Sequence, residues 1–554
     1  MPRIDKKWLV SIFAVLALAI GVAACTSAPS APAQAPAQPA AQATVAQPAA
    51  QAQPAQKAAQ PANAAAPSGG KVLKMARNSE PFSPFIPWQI DDNPALFISV
   101  NIYDTLFRTT KDGKGVEPAL AEKYESSSDG LTWTFHLKDG VKFSDGTPMK
   151  ASDFAASLNA ARKSEKSVWK DSYKAIKDVT APDDKTLVIT LSQPYAPLLS
   201  VLAMFSSAVL PADLVAASEA KDFDNAKAWK TRGTGAYMVD GWKKGDPLIL
   251  KANPNYWKGK PDVSEVDIEY IPDDNTRVLK LQGGETDIID FVPFSQIDTL
   301  NSQPGIKAQT FDIQQSAFIM LNNKQKPLDD VKVRQALAYA TPKDAIIKNV
   351  YFGQAKPQNS PIPAGTYWDP NLQGYPYDLD KAKQLMAQSS SPNGFKLPMQ
   401  VRSGNTNFAN TAVILKDAWS KIGVDVDIQN VETAVARQAY RDGNYWSQPT
   451  DWTNDMNVPT EMVNYGLRVD GGTFAYWTRY NNPTLNDMIT KADLEQDPKK
   501  REQMYHDIQK TYQDDAPFIP LVYLGATAGW RDYVQNFFID GLSYYRFEDV
   551  KLNK

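Results

Sequence analysis

From residue 26 to residue 69 the chain is almost wholly Ala, Pro, Gln and Ser, with one charge, Lys57, and no aromatic side chain. Such a stretch cannot bury enough apolar surface to offset the entropy of ordering it, so it is expected to stay unfolded and partly polyproline-like. Any globule is thereby confined to residues 71–554. Treated as a flexible coil, the 26–70 linker reaches about 35 to 40 Å.

What precedes the linker gives it an anchor. Arg3, Lys6 and Lys7 form a basic start, residues 9–20 an apolar run, and Val22-Ala23-Ala24 put small residues before Cys25, the only cysteine. That order reads as a lipoprotein signal peptide over residues 1–25, with Cys25 the lipidated residue. The apolar run is short for a membrane span, and no later stretch is long and apolar enough to make one. The other reading of Cys25, a buried thiol in a core helix, leaves the basic residues before it and the polar tract after it unexplained. With Cys25 used for lipid, no disulfide is available, and stability has to come from size and packing.

About 480 residues exceed what one hydrophobic core supports, which calls for two or three domains. The net charge is −3; Arg3, Lys6, Lys7 and Lys57 against Asp5 give the first 70 residues +3, leaving −6 on the globule. A mildly acidic surface argues against nucleic acid as a partner. Enzyme chemistry finds little to work with. His136 and His506 are the only histidines. Glu502 lies one helical turn before His506, but two groups do not make a metal site. The sequence has no G-x-S-x-G elbow, H-E-x-x-H pair or P-loop. Gly233-Thr234-Gly235 lacks the third glycine of a dinucleotide fingerprint. No cofactor and no metal are expected.

Organisation is clearer. Asp129-Gly130 and Asp139-Gly140 bracket residues 131–137, where Leu, Trp, Phe and Leu alternate with Thr, Thr and His, a half-buried strand between turns. A helix over 151–162 and a strand over 185–191 follow. Residues 397–402, 410–422 and 424–430 read as a βαβ unit whose helix ends at Gly423. Helices also fit 331–340, 379–388 and 485–494. Strands and helices mix throughout, which predicts an α/β or α+β architecture.

The motifs in order carry a resemblance. Glu117-Pro118-Ala119-Leu120-Ala121-Glu122, Asp129-Gly130-Leu131-Thr132-Trp133-Thr134-Phe135 and Val141-Lys142-Phe143-Ser144-Asp145-Gly146-Thr147-Pro148 come first. Gly233-Thr234-Gly235-Ala236-Tyr237, Asn253-Pro254-Asn255-Tyr256-Trp257, Gly283-Gly284-Glu285-Thr286-Asp287 and Val331-Lys332-Val333-Arg334-Gln335-Ala336-Leu337 follow. Together they resemble the family 5 extracellular solute-binding proteins, the oligopeptide- and dipeptide-type receptors of ABC importers.

That resemblance implies an α/β, two-lobed periplasmic-binding-protein fold, class II-like with an extra inserted domain and a ligand cleft between the lobes. Mapped onto this chain, 71–106, 233–311 and 514–554 form lobe I, 107–232 the inserted domain, and 312–513 lobe II. It implies a monomeric binding protein, not an enzyme. Such a protein is held outside the cytoplasmic membrane by lipidated Cys25 and passes its ligand to the importer's transmembrane subunits.

The resemblance also names cleft residues. The run Trp452-Thr453-Asn454-Asp455 looks like the second-lobe loop that supplies a tryptophan and an aspartate, so Asp455 would meet a cationic group such as a peptide's α-ammonium and Trp452 would form an apolar wall. The plainer reading is an exposed carboxylate and a core tryptophan. Ser83-Pro84-Phe85-Ile86-Pro87-Trp88 is a Pro-bracketed aromatic loop whose Phe85 and Trp88 are candidate contacts, with Asp91 and Asp92 as acceptors; an apolar plug under the inserted domain is the alternative. Between Arg441 and Arg468 there is no Lys or Arg to meet a peptide carboxylate, while Tyr445, Trp446, Trp452, Tyr465, Tyr476 and Trp477 crowd the region. Trp446, Tyr476 and Trp477 therefore join the candidate ligand contacts. Aromatic faces suit sugar rings as well as peptide side chains. A peptide receptor, an oligosaccharide receptor and, lacking catalytic signatures, an extracytoplasmic hydrolase are the three readings carried forward.

Overall fold

Two long strands, Ile306–Leu321 and Phe518–Arg531, pair antiparallel through the middle of the molecule and carry the chain between separate hydrophobic cores. The computed structural model describes residues 70–220, 230–464 and 478–554, all within one compact unit. Cys25, the 26–69 tract, Tyr465, Tyr476 and Trp477 lie outside the described residues.

The long strands sit centrally in an eleven-stranded mixed sheet. On one side come Ser447–Thr453, then the parallel pair Phe395–Arg402 and Val424–Val431. On the other come Ile288–Asp290, Lys71–Arg77, Val263–Tyr270, Leu248–Ala252 and Tyr237–Met238. The expected βαβ unit is present, its helix at Thr406–Ser420 capped by Asn405, whose side chain accepts the Phe408 N–H. The expected strands around 131–137 and 185–191 form, with Ala121–Ser126 and Ile176–Thr180, a separate antiparallel sheet beside helix Ala151–Lys163. Its turns fall at Gly130 and Gly140, both at positive φ, where a side chain is strained.

Burial along the first long strand shows why one strand serves two cores. Ala317, Ile319 and Leu321 enter a core with Trp419, Val424 and Leu397, while Phe318 and Met320 enter another with Tyr505, Tyr512 and Phe518. That is the period-2 alternation of a strand covered on both faces. Earlier on the same strand, Phe311 and Ile313 belong to the largest core, with Trp88, Phe97, Phe154 and Tyr545. The second long strand changes over likewise: Ile519 and Leu521 pack with the second core, Ala528 and Trp530 with the first. The changeover thus lies within both strands rather than at residue 514. At that point the register shifts, Asp312 facing Gly525 and Gln315 facing Leu524, so that Ile313 and Gln314 form a bulge.

Bulge residue Gln314 is 3% exposed and its polar groups are engaged elsewhere. Its backbone N–H donates to the Gly541 carbonyl (2.7 Å), its carbonyl accepts the Asn454 N–H (3.0 Å), and its side-chain oxygen accepts from the Asn454 amide (3.1 Å). Its side-chain nitrogen donates to the Gly113 carbonyl. Farther away, Arg108 joins the region of the four-stranded sheet to the C-terminal segment by pairing with Glu548 at 2.6 Å and with Asp104.

Gly233-Thr234-Gly235 has a packing role. A Cβ on Gly233 would lie 1.9 Å from the Ile102 carbonyl oxygen, and one on Gly235 2.5 Å from the Ile102 carbonyl carbon. The loop needs glycine to pass the end of helix Asn93–Ile102, and Gly235 N–H donates to Ile102 O at 3.1 Å. Gly233→Ala is therefore expected to cost about 3 kcal/mol by overpacking, read as a lowered denaturation midpoint.

Candidate functional site

Between the cores lies a cavity of about 780 Å³. Helix Asn93–Ile102 contributes Asn93 and Phe97, the chain after Ile288–Asp290 contributes 291–295, and the C-terminal segment contributes Leu542, Ser543 and Tyr544. Tyr351 and Phe408 of the second core line it together with Phe352, 402–407, Asp451, Thr453 and Asp455. Ile313, Gln315 and 524–527 of the long strands complete the lining. Arg402 is the last residue of one strand and Thr453 of its neighbour, so the site forms where strand ends leave an open crevice.

Side-chain parity decides who reaches it. Asp451, Thr453 and Asp455 line the cavity; between them Trp452 packs against the third core and donates its indole N–H to Asn454 at 2.8 Å. Asp455 is half-buried, and among the described residues no cation pairs with its carboxylate. Its loop is folded by Glu461, 2% exposed, whose Oε2 accepts the N–H groups of Asp455 (2.8 Å) and Met456 (2.9 Å). Tyr544 donates to the Asp455 carbonyl at 3.5 Å. Burial pushes the Asp455 carboxyl up from its ordinary range. Burial first, and then the Asp455 charge, push Glu461 well up.

Arg402 brings a cation to the cavity wall, where it is paired with Asp451. Its guanidinium donates to Asp451 at 2.6 Å and sits 4.9 Å from the Phe408 ring centre, while Gln315 donates to the other Asp451 oxygen at 3.2 Å. Sequence reading missed it because only the βαβ unit carries it to the strand bearing Asp451. The signal available was an arginine at the end of a predicted strand followed by a helix start.

The remaining sequence candidates sit elsewhere. Phe85 and Trp88 are fully buried in the first core. Trp88 donates to Glu219 at 3.2 Å, and the Phe85 carbonyl accepts from Tyr103 at 2.7 Å. They form the apolar plug. Asp92 caps helix Asn93–Ile102, accepting from Ala95 at 2.9 Å and from Ser83 N–H at 2.7 Å, and Asp91 accepts from the Ser83 hydroxyl. These residues place the helix that lines the cavity without lining it themselves. Trp446, 37% exposed, stands before the opposite end of the strand from Asp455 and outside the lining. Tyr476 and Trp477 fall outside the described residues. His136 contacts Glu125 at 3.3 Å on the small sheet, and among the described residues no cluster of His, Cys, Asp and Glu is fit to hold a metal.

Two cores joined by crossing strands, with a cavity between, are the architecture of a two-lobed binding protein. The chain belongs to the bacterial extracellular solute-binding proteins of family 5, whose model matches residues 115–473. It is 30% identical to heme-binding protein A of Haemophilus influenzae over 497 residues, covering 83% of this chain and 90% of that one. It is 29% identical to the dipeptide-binding protein of Escherichia coli, covering 83% and 92%. Among solved structures, the ABC transporter-associated periplasmic binding protein DppA of Helicobacter pylori, in complex with the peptide STSA, superposes with a TM-score of 0.76 at 28% identity, covering 88% and 98%. The protein is thus an extracytoplasmic solute-binding protein of an ABC importer. Among the described residues no helix is long and apolar enough to cross a membrane.

Proposed function

We propose that the protein captures a peptide by its free α-ammonium on Asp455 and hands it to its importer, acting as a monomer tethered to the cytoplasmic membrane by lipidated Cys25 and the 26–70 linker. The observation that carries the ligand assignment is the Asp455 carboxylate in the cavity wall, with no protein cation on it among the described residues. A charge-assisted hydrogen bond there is strengthened by exclusion of water. The aromatic crowd that favoured a sugar loses Trp446 and Trp452 from the cavity lining, which supports the peptide. Lobe I comprises 71–106, 233–311 and the chain from the middle of the strand Phe518–Arg531 onward, with 107–232 inserted, and lobe II the chain from 312 to that point. Closure of the lobes is driven by contacts the ligand makes better in the closed form.

The test is thermal denaturation of the purified protein with di- to hexapeptides, their N-acetylated forms, and gluco-, xylo- and manno-oligosaccharides. At a hundred times its dissociation constant a ligand stabilises by about 2.7 kcal/mol. Stabilisation by free-amine peptides, lost on acetylation, is expected; stabilisation by sugars alone would overturn the peptide reading. For the anchor, radiolabelled palmitate supplied to cells should enter the wild-type protein and not Cys25→Ser.

A further inference from the structure

Two phenylalanines at the cavity are held in a backbone conformation that such side chains avoid. Phe291 and Phe352 both have φ of 51°, and are 46% and 55% exposed. Both line the cavity, Phe291 beside the strand Ile288–Asp290 of the first side and Phe352 next to Tyr351 of the second core. A bulky residue at positive φ is an outlier, and such outliers persist where surrounding structure enforces them.

Each is enforced by visible means. Arg277, 1% exposed, donates to the Phe291 carbonyl at 3.2 Å and to the Asp290 carbonyl at 3.4 Å, clamping the chain on both sides of the bend. Phe352 and Gly353 are both at positive φ, and Gln354 N–H donates to the Tyr351 carbonyl at 2.8 Å, closing a four-residue turn. Turns with two positive-φ central residues are normally built from Asn, Asp or Gly. Here a phenylalanine occupies the first of the two positions, with its ring left half in solvent. Behind them Phe294 and Tyr351 meet edge to face at 5.5 Å, and a shallower groove of about 460 Å³ continues outward past Phe294 and Phe352.

We propose that Phe291 and Phe352 are the specificity-determining jaws of the cleft, one from each side, which grip an apolar, preferably aromatic, side chain of the bound peptide. The proposal rests on the peptide reading above and adds to it the class of peptide selected. Aromatic rings gain from burying a flat partner between them while the charged end of the ligand stays at Asp455.

The experiment is calorimetric titration of the full-length mature protein with tetra-alanine and with the four tetrapeptides carrying one phenylalanine and three alanines. For the best phenylalanine peptide, wild type is expected to bind roughly tenfold tighter than tetra-alanine. In Phe291→Gly/Phe352→Gly that preference should shrink to roughly threefold or less. Glycine is free to adopt the same backbone, so the double variant should melt close to wild type. A preference that survives the double substitution overturns the jaws, as does its absence in wild type. So does a sharp fall in melting temperature with both affinities lost, which would make the rings structural. Asp455→Asn should weaken all the peptides while leaving the ratio intact. Failure of that variant to weaken them, with the ratio still dependent on the two rings, would overturn the ammonium contact alone. No binding of any of these peptides by wild type would overturn both.

Discussion

Asp455→Asn is expected to weaken binding of a free-amine peptide by about 100-fold or more, since removing one charge from a desolvated pair leaves the other without compensation. Tetra-alanine and its N-acetylated form make the comparison: the variant should reduce the first toward the second and leave the second nearly as it was. An equal loss for both would mean that Asp455 shapes the loop rather than meets the amine. The same carboxylate sets the sign of the pH dependence. Burial raises its pKa, so the ammonium ligand must meet an ionised group that holds its proton longer than an ordinary aspartate. Affinity should therefore fall as pH falls through that raised value, at a pH above the ordinary carboxylate range. In the unliganded protein the sign reverses. The folded state keeps a proton that the unfolded chain releases near pH 4, so this group's contribution to stability declines as pH rises from there through the raised value. Melting curves of wild type and Asp455→Asn across pH 4 to 8 isolate that contribution, and the variant's should be flatter.

Trp88→Ala carries the largest expected loss of stability, about 3–5 kcal/mol. Its indole is fully buried in the largest core and donates to Glu219, so truncation opens a cavity and strips a polar partner. Peptide affinity of the folded variant should stay within about threefold of wild type, because Phe97 and Asn93, not Trp88, reach the cleft. A selective loss of affinity without loss of stability would return Trp88 to the ligand site.

These contrasts show where sequence was readable. Alternation and turn glycines between 129 and 140 located the strand Thr132–Leu137, and the parallel pair Phe395–Arg402 and Val424–Val431 emerged with its helix because each piece is periodic within itself. Ile306–Leu321 was not legible. Its halves serve different cores and a bulge interrupts the pattern, so no single period runs through it. At the site, Asp455 could be named from its loop, but Trp452 was set beside it although they are three positions apart and their side chains part to opposite faces. Arg402 and Asp451 are 49 positions apart and become neighbours only when strands pair. Phe352 carried one weak hint, the glycine after it, which a positive-φ turn uses.

The bulge at Gln314 bears on kinetics. Its bonds to Gly541 and Gly113 on one hand and to Asn454, beside Asp455, on the other mean that swinging the ligand loop away from the C-terminal segment ruptures several buried amide bonds together. A joint made this way does not slip by degrees; it holds or it lets go. If a captured ligand leaves only when that joint lets go, its lifetime cannot be shorter than the time the receptor itself takes to open.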